Sequence, residues 1–332
     1  MSRAPLLLFL FVSSLLPAQA AAQSQQREDE IVANLAGGRV IIQVAKDDII
    51  IFAAIDQPLE ANSVPPRLLQ LDAGHVGIVL GATEWQVPSN PQSVRLDRNF
   101  QSVASSSNQH YQDFPDQAAP DLETIGIAFL ETLRPLVAQL HHKLDVKPDD
   151  PIFEVIVLGF AKNYGPEVWQ LDYRIDQQQV ATRGEYWQTR IQRPRFTQLY
   201  PPEGGKHAPH TLVETRYPAE VSSKNHNNEP PLIALIQGAD PAISKLRSSD
   251  PKFIKVADAL DKGQAQKAVA ADSADFLRAA LPLIAGNHTF ILGTMEEQRG
   301  FNWIVPPDEP VEKTDDKSRP PAAPSLRRKP NP

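Results

Sequence analysis

Cysteine is absent from this chain of 332 residues, and methionine occurs only twice. Without a thiol there is no disulfide, no thiolate nucleophile, no iron–sulfur cluster and no cysteine-based zinc site. Basic charge is not in excess: 33 Lys and Arg stand against 40 Asp and Glu, a formal net charge of −7. Nucleic acid is disfavoured as a main partner, because phosphate binding draws on clustered Lys and Arg. No GxSxG elbow, HExxH pair, glycine-rich phosphate loop or EF-hand loop occurs, so the chemistries those motifs carry have no support. Glycine is modest at 16 while proline reaches 31, which calls for extended connections and stiff loops or tails. What is present is ordinary globular material, 41% apolar and 22% charged, enough for one large or two average domains.

The longest apolar run stands at the start. MSRAP is followed by LLLFLFVSSLL and then by PAQAAAQ, the positive, apolar and small-residue regions of an export signal. A bilayer needs about 20 apolar residues, so this run is too short for an anchor. Cleavage is expected after Ala20 or Ala22, giving a signal peptide at 1–22 and a secreted or periplasmic protein with no membrane association once the signal is removed. At the far end, 306–332 offers only Val311 and Leu326 as large apolar side chains and is expected to be a disordered Pro-rich tail. Its Arg327-Arg328-Lys329 cluster is read as solvated charge. A short extension, 23–37, precedes the body at 38–305.

Within the body, 39–56 holds two β-branched runs around Lys46-Asp47-Asp48, a strand hairpin. Neither arm alternates, so both faces of the sheet should be covered. Residues 67–82 repeat the pattern about a turn at Asp72-Ala73-Gly74. The spacing of Leu122, Ile125, Phe129, Leu133, Leu136, Leu140 and Leu144 predicts a helix over 122–144, capped by Asp121 and kinked or split at Pro135. Residues 152–174 form a third hairpin. The stretch 84–120, with Pro88, Pro91, Pro115 and Pro120, reads as loop, and 177–231 reads as a polar insertion with a possible hairpin. LIALIQG at 232–238 reads as a buried strand. Residues 251–285 read as helical, with Asp272 or Ser273 as cap of the last helix, and 288–294 with 301–305 close the body. That order yields an α+β layer architecture.

RVIIQVAKDDIIIFAAID, RLLQLDAGHVGIVLGA and LGFAKNYGPEVWQLDY, with Gly286, Gly300 and Trp303 in the closing hairpin, resemble the proteasome-subunit branch of the N-terminal nucleophile (Ntn) hydrolases. The resemblance covers 38–98 and 121–305, interrupted by 177–231, and lies in arrangement more than in identity. It implies a four-layer αββα sandwich. It also implies a mechanism in which the first residue of the mature chain, Thr, Ser or Cys, is activated by its own α-amine. The nucleophile position falls on Gly38, between Gly37 and Arg39. The family lysine falls on Arg67, whose guanidinium cannot share protons as an amine can. The family aspartate falls on Ala54, or on Asp56 after a slip of two. No catalytic residue is therefore expected at Gly38 or Arg67, and Arg67 is expected to pair with Asp56 or Asp72.

Other candidates are weaker. His141-His142 suits a helix C-terminus better than a metal. Lys206-His207-Ala208-Pro209-His210 with Glu214 reads as a flexible loop before it reads as a metal site. Asn287-His288-Thr289 is a common sequon pattern. Trp85, Trp169, Trp187 and Trp303 read as core or turn anchors, with Tyr186-Trp187 as a possible exposed contact. No cofactor and no metal are expected. The reading that results is an exported, catalytically inactive member of the fold, a binding or assembly module acting with a protein partner or as a homo-oligomer. The alternative is a secreted hydrolase or peptidase with an unconventional site, using Ser63 or a loop residue.

Overall fold

The structure, a computed structural model, describes residues 32–56, 63–71, 74–86, 93–113, 122–141, 151–161, 165–180, 186–201, 212–217 and 232–306. Residues 1–22, expected to be a signal peptide, the stretch beyond Pro306, Asp72, Asp121, His142 and the histidines at 207 and 210 lie outside these residues.

In chain order the first strands are β1 (Val32–Ala36), β2 (Gly38–Val44) and β3 (Ile50–Asp56). β2 and β3 form the first expected hairpin. At its turn Asp48 takes φ +59° and donates its N–H to Ala45 O at 3.1 Å, a left-handed conformation that Asp tolerates better than most side chains. All of β2, and β3 as far as Ile55, is buried, the double coverage that unbroken β-branched runs demand. Then come β4 (Ser63–Val64), β5 (Arg67–Gln70), the long β6 (His75–Gln86) and β7 (Ser93–Arg95), followed by helices α1 (Leu96–Asp113) and α2 (Leu122–Val137). β8 (Phe153–Ala161) and β9 (Gly165–Tyr173) make the third hairpin. β10 (Ile175–Gln179) and β11 (Trp187–Ile191) form a separate ribbon, and β12 (Arg195–Tyr200) and β13 (Leu212–Tyr217) follow. Next are α3 (Leu232–Ala234), running into a π-helical turn at Leu235–Ala239, α4 (Pro241–Arg247), α5 (Pro251–Asp261), a 3-10 turn at Ala265–Lys267 and α6 (Ala270–Ala285). β14 (Phe290–Glu296) and β15 (Gly300–Val305) close the body. Asp240 and Asp250 cap α4 and α5, accepting from Ala242 N at 2.7 Å and Lys252 N at 2.8 Å, each with Pro as first helical residue.

The architecture is mixed α+β, with antiparallel sheets and six helices among the described residues. The larger sheet runs β12-β9-β8-β6-β1-β4, with β5 and β7 also on β6. The smaller runs β13-β2-β3-β14-β15. Three apolar clusters organise the packing. Val40, Ile42, Phe52 and Ala54 of the smaller sheet meet Ile78, Leu80, Ile156 and Leu158 of the larger. On its other face the smaller sheet, through Ile41, Ala53 and Leu292, packs against Phe253, Val256, Phe276 and Leu281 of α5 and α6. The larger sheet covers α1 and α2 with Val79, Phe153, Val155 and Tyr173. Alternation along β2 therefore sends odd positions to helices and even positions to the facing sheet. A buried polar pair joins these layers, Gln43 Nε2 donating to Ser273 Oγ at 3.1 Å.

Five expectations are corrected. The stretch 84–120 contains the 18-residue α1. Its apolar residues are few, but Leu96, Phe100 and Ala104 fall on one face and are buried. LIALIQG is helical, because a short apolar run cannot be assigned to strand or helix by periodicity alone. The polar stretch 177–231 is not mere insertion: it holds β11, gives β12 to the larger sheet and β13 to the smaller. Finally, α6 is preceded by Val269 with no side-chain cap, while Ser273 is spent inside on Gln43. The helix expected over 122–144 and kinked or split at Pro135 is not split there: α2 runs through Pro135 and ends at Val137.

Candidate functional site

The residues set against the family's catalytic positions converge only in part. The chain leaves the larger sheet at Ala36, which pairs with Gly81 of β6 and Val64 of β4, and enters the smaller sheet at Gly38. Only Gly37 lies between them. The nitrogen of Gly38 is therefore a peptide nitrogen held between two strands, and it cannot serve as a free amine base. Gly38 pairs with Asp56 on one side and Tyr217 on the other. A Cβ built on it would run into the Pro66 ring and lie 2.8 Å from Ile55 O, so the position has no room for Thr, Ser or Cys.

Asp56 ends β3 on the face that looks toward the larger sheet. Burial raises its carboxyl above the usual 3.8, while the charge of His288 and a hydrogen bond from the Thr289 side chain pull it partly back. Its Oδ1 is buried with no hydrogen-bond partner among the described residues. Its backbone N–H donates to Thr289 O at 2.9 Å, which fixes Thr289 beside it. The mouth between the sheets thus gathers Gly38, Asp56, Thr289 and His288. It offers a carboxyl that holds its proton to a higher pH than usual and a hydroxyl bonded to it.

Arg67 does not join this group. It pairs with Val79, whose side chain lies in the helix-side cluster, whereas the next residue, Leu68, packs between the sheets. Arg67 therefore belongs to the face turned away from Gly38. Its Nε is buried with no partner among the described residues, and the groups that act on Asp56 are His288 and Thr289, so the expected pairing of Arg67 with Asp56 is not formed. Ala54 is 1% exposed inside the inter-sheet cluster, a place where a carboxylate would be desolvated without a partner. Ser63 pairs with Leu35 through the backbone of β4.

His141 is exposed and its ring stacks on Tyr186 at 4.8 Å, so Tyr186 is the exposed contact and Trp187 lies half-buried behind it. Trp85 is core, Trp169 packs beside α2's cluster, and Trp303 stands edge-on to Phe301 at 4.7 Å. Among the described residues no three His, Asp or Glu side chains converge as metal ligands.

Two polar groups escape a reading of the sequence. Asp172, 4% exposed, accepts from Arg174 Nε at 2.8 Å, opposite the buried Glu154. His75 Nε2 and Glu167 Oε1 stand 3.1 Å apart, and Trp169 Nε1 donates to the other Glu167 oxygen at 2.9 Å. His75 lies over Gly159, which leaves no space for a Cβ there. The only sequence trace of either is a lone Glu in an apolar run and a glycine in mid-strand; partners on other strands depend on register. The chain matches no protein-family model and no curated protein sequence.

Proposed function

We propose that this chain is a catalytically silent relative of the proteasome-subunit branch of the Ntn hydrolases, exported and acting as a binding or assembly module. The four-layer αββα reading is supported by the succession of apolar clusters: α5 and α6, the smaller sheet, the larger sheet, then α1 and α2. A helix after the second hairpin, which the family carries, agrees with it. Silence is carried by one observation: Gly38 lacks a side chain, has no room for one, and presents a peptide nitrogen where the mechanism needs an amine.

The test is incubation of the mature protein with an acylating probe for Ser and Thr hydroxyls, read by intact mass, beside fluorogenic peptide turnover. No mass gain and no turnover are expected. A second reading, hydrolysis at an unconventional site, is favoured by the Thr289 hydroxyl bonded to Asp56 next to His288. Stoichiometric labelling of Thr289 that disappears in Asp56→Asn would establish it and overturn silence.

A further inference from the structure

The turn between α6 and β14 sits over the mouth between the sheets and hangs on Asp56. β14 pairs with β3 from Phe290 onward, opposite Ile55. One residue beyond that ladder, the Asp56 N–H donates to Thr289 O at 2.9 Å and the Thr289 hydroxyl donates to the Asp56 carboxyl. Both bonds tie the turn to the end of β3. At its other end the turn leans on α6, Gly286 and His288 donating their N–H groups to Pro282 O at 3.2 Å and Ala285 O at 3.0 Å. Gly286 takes φ +60°, and Gly286, Asn287, His288 and Thr289 are all exposed. A segment with no buried side chain and a glycine at its hinge opens at low cost.

The Asp56 carboxyl is poorly placed to carry a charge. Its Oδ1 is shut off from solvent and has no partner among the described residues. Gly38 beside it has no side chain, and Pro66 across the mouth has no donor to give. Other ionisable groups are placed apart from it. Arg39 follows the odd positions of β2 to the helix side, and Arg67 lies on the far face of the larger sheet. α6 has no ionisable side chain after Arg278, and Glu296 is at the far end of β14. On β13, Arg216 pairs with Arg39 and Tyr217 with Gly38, one strand further out. Glu60 lies outside the described residues. His288 and Thr289 are the groups that act on the carboxyl, and both oppose the larger effect of burial.

We propose that the turn 286–289 is a pH-sensitive latch on this mouth, closed while Asp56 keeps its proton and released when Asp56 ionises. A carboxylate with one oxygen dry and unbonded gains most from water. Water reaches that oxygen by displacing the exposed turn, since Gly38 and Pro66 are buried in the two sheets. The closed form is favoured fully below the carboxyl's ordinary 3.8 and loses that advantage as pH rises through the higher value of the closed state. An imidazolium at His288 favours the carboxylate where it stands and so works against release. Release opens the mouth beside Gly38 to solvent. The latch is separate from silence, which the acyl probe decides, and works on the mouth with or without a nucleophile.

Amide exchange of the mature protein between about pH 4 and about pH 8, each rate divided by that of an unstructured chain at the same pH, tests this. The Asp56 amide reports the latch, and the amide of Ala54, paired on both sides, reports the sheet. Protection of Asp56 should fall as pH rises, roughly tenfold for each unit by which its carboxyl titrates higher closed than open, while Ala54 holds. In Asp56→Asn protection should stay high and flat. In His288→Gln it should fall further than in wild type at about pH 5 to 6 and match wild type by about pH 8. Circular dichroism checks both folds; His288 is exposed, so its variant carries the test should Asp56→Asn not fold. Flat protection of Asp56 in wild type overturns the proposal, as does an equal fall in Asp56→Asn. A fall shared by Ala54 also overturns it, because the whole sheet and not the turn would then be opening.

Discussion

Alanine at position 38 would push its Cβ into the Pro66 ring and against Ile55 O, and both neighbours are buried parts of the two sheets. Gly38→Ala is expected to cost about 1–3 kcal/mol in denaturant unfolding, the usual range for overpacking. An unchanged midpoint would mean that the mouth can widen. Asp56 makes a second case at this scale. Its folded pKa is raised by burial, with His288 and Thr289 opposing, so the folded state holds the proton more tightly than the unfolded chain. The stabilisation is full below the unfolded value of 3.8 and is lost as pH rises through the raised folded value. Asp56→Asn should therefore raise the Tm near neutral pH, with the gap closing by about pH 3; a gap independent of pH would show that the charge is not the cause. Of these residues, Gly38 could be read as lacking a nucleophile from the sequence, but its crowding could not. Pro66 is 28 positions away and meets it only because β4 and β5 fold back.

The helices show what periodicity can carry. In α2 the apolar residues recur every three or four positions, and Ile125, Phe129, Leu133 and Val137 are buried as that spacing requires. In α1 the same geometry is present but thin, because serine and other polar residues fill most of the helix and prolines bracket it in sequence. Its anchor is Phe100, fully buried and set edge-on to Phe129 at 5.2 Å, with Phe153 at 5.9 Å. Tertiary packing supplies what propensity lacks in such a helix. Phe100→Ala is thus expected to cost about 3–5 kcal/mol and to speed amide exchange in α1 before α2. Equal acceleration throughout would indicate that α1 does not open by itself. The strands β12 and β13 were hidden for another reason: an edge strand covered on one side needs few apolar residues, so it reads as polar loop.

At the scale of the molecule, the export reading predicts that protein collected outside the cytoplasm begins between Ala21 and Gln23, as N-terminal sequencing would show. A start at Gly38 would contradict it and would also remove β1 from between β6 and β4. The three hairpins were legible because their partners are adjacent in sequence, whereas the pairings that join distant segments were not. One of those pairings sets a timetable. The larger sheet is assembled from residues 32–200, but the smaller one needs 38–56 beside 212–217 and 290–305. Ala54 finds Ile291 only after almost all of the body has been made. A chain synthesised from its N-terminus carries the β2–β3 hairpin, apolar on both faces, without its neighbours until the end. Closing so long a loop is slow, so the smaller sheet is completed last. A chain cut short before β14 would be left with a bare apolar edge and a tendency to aggregate.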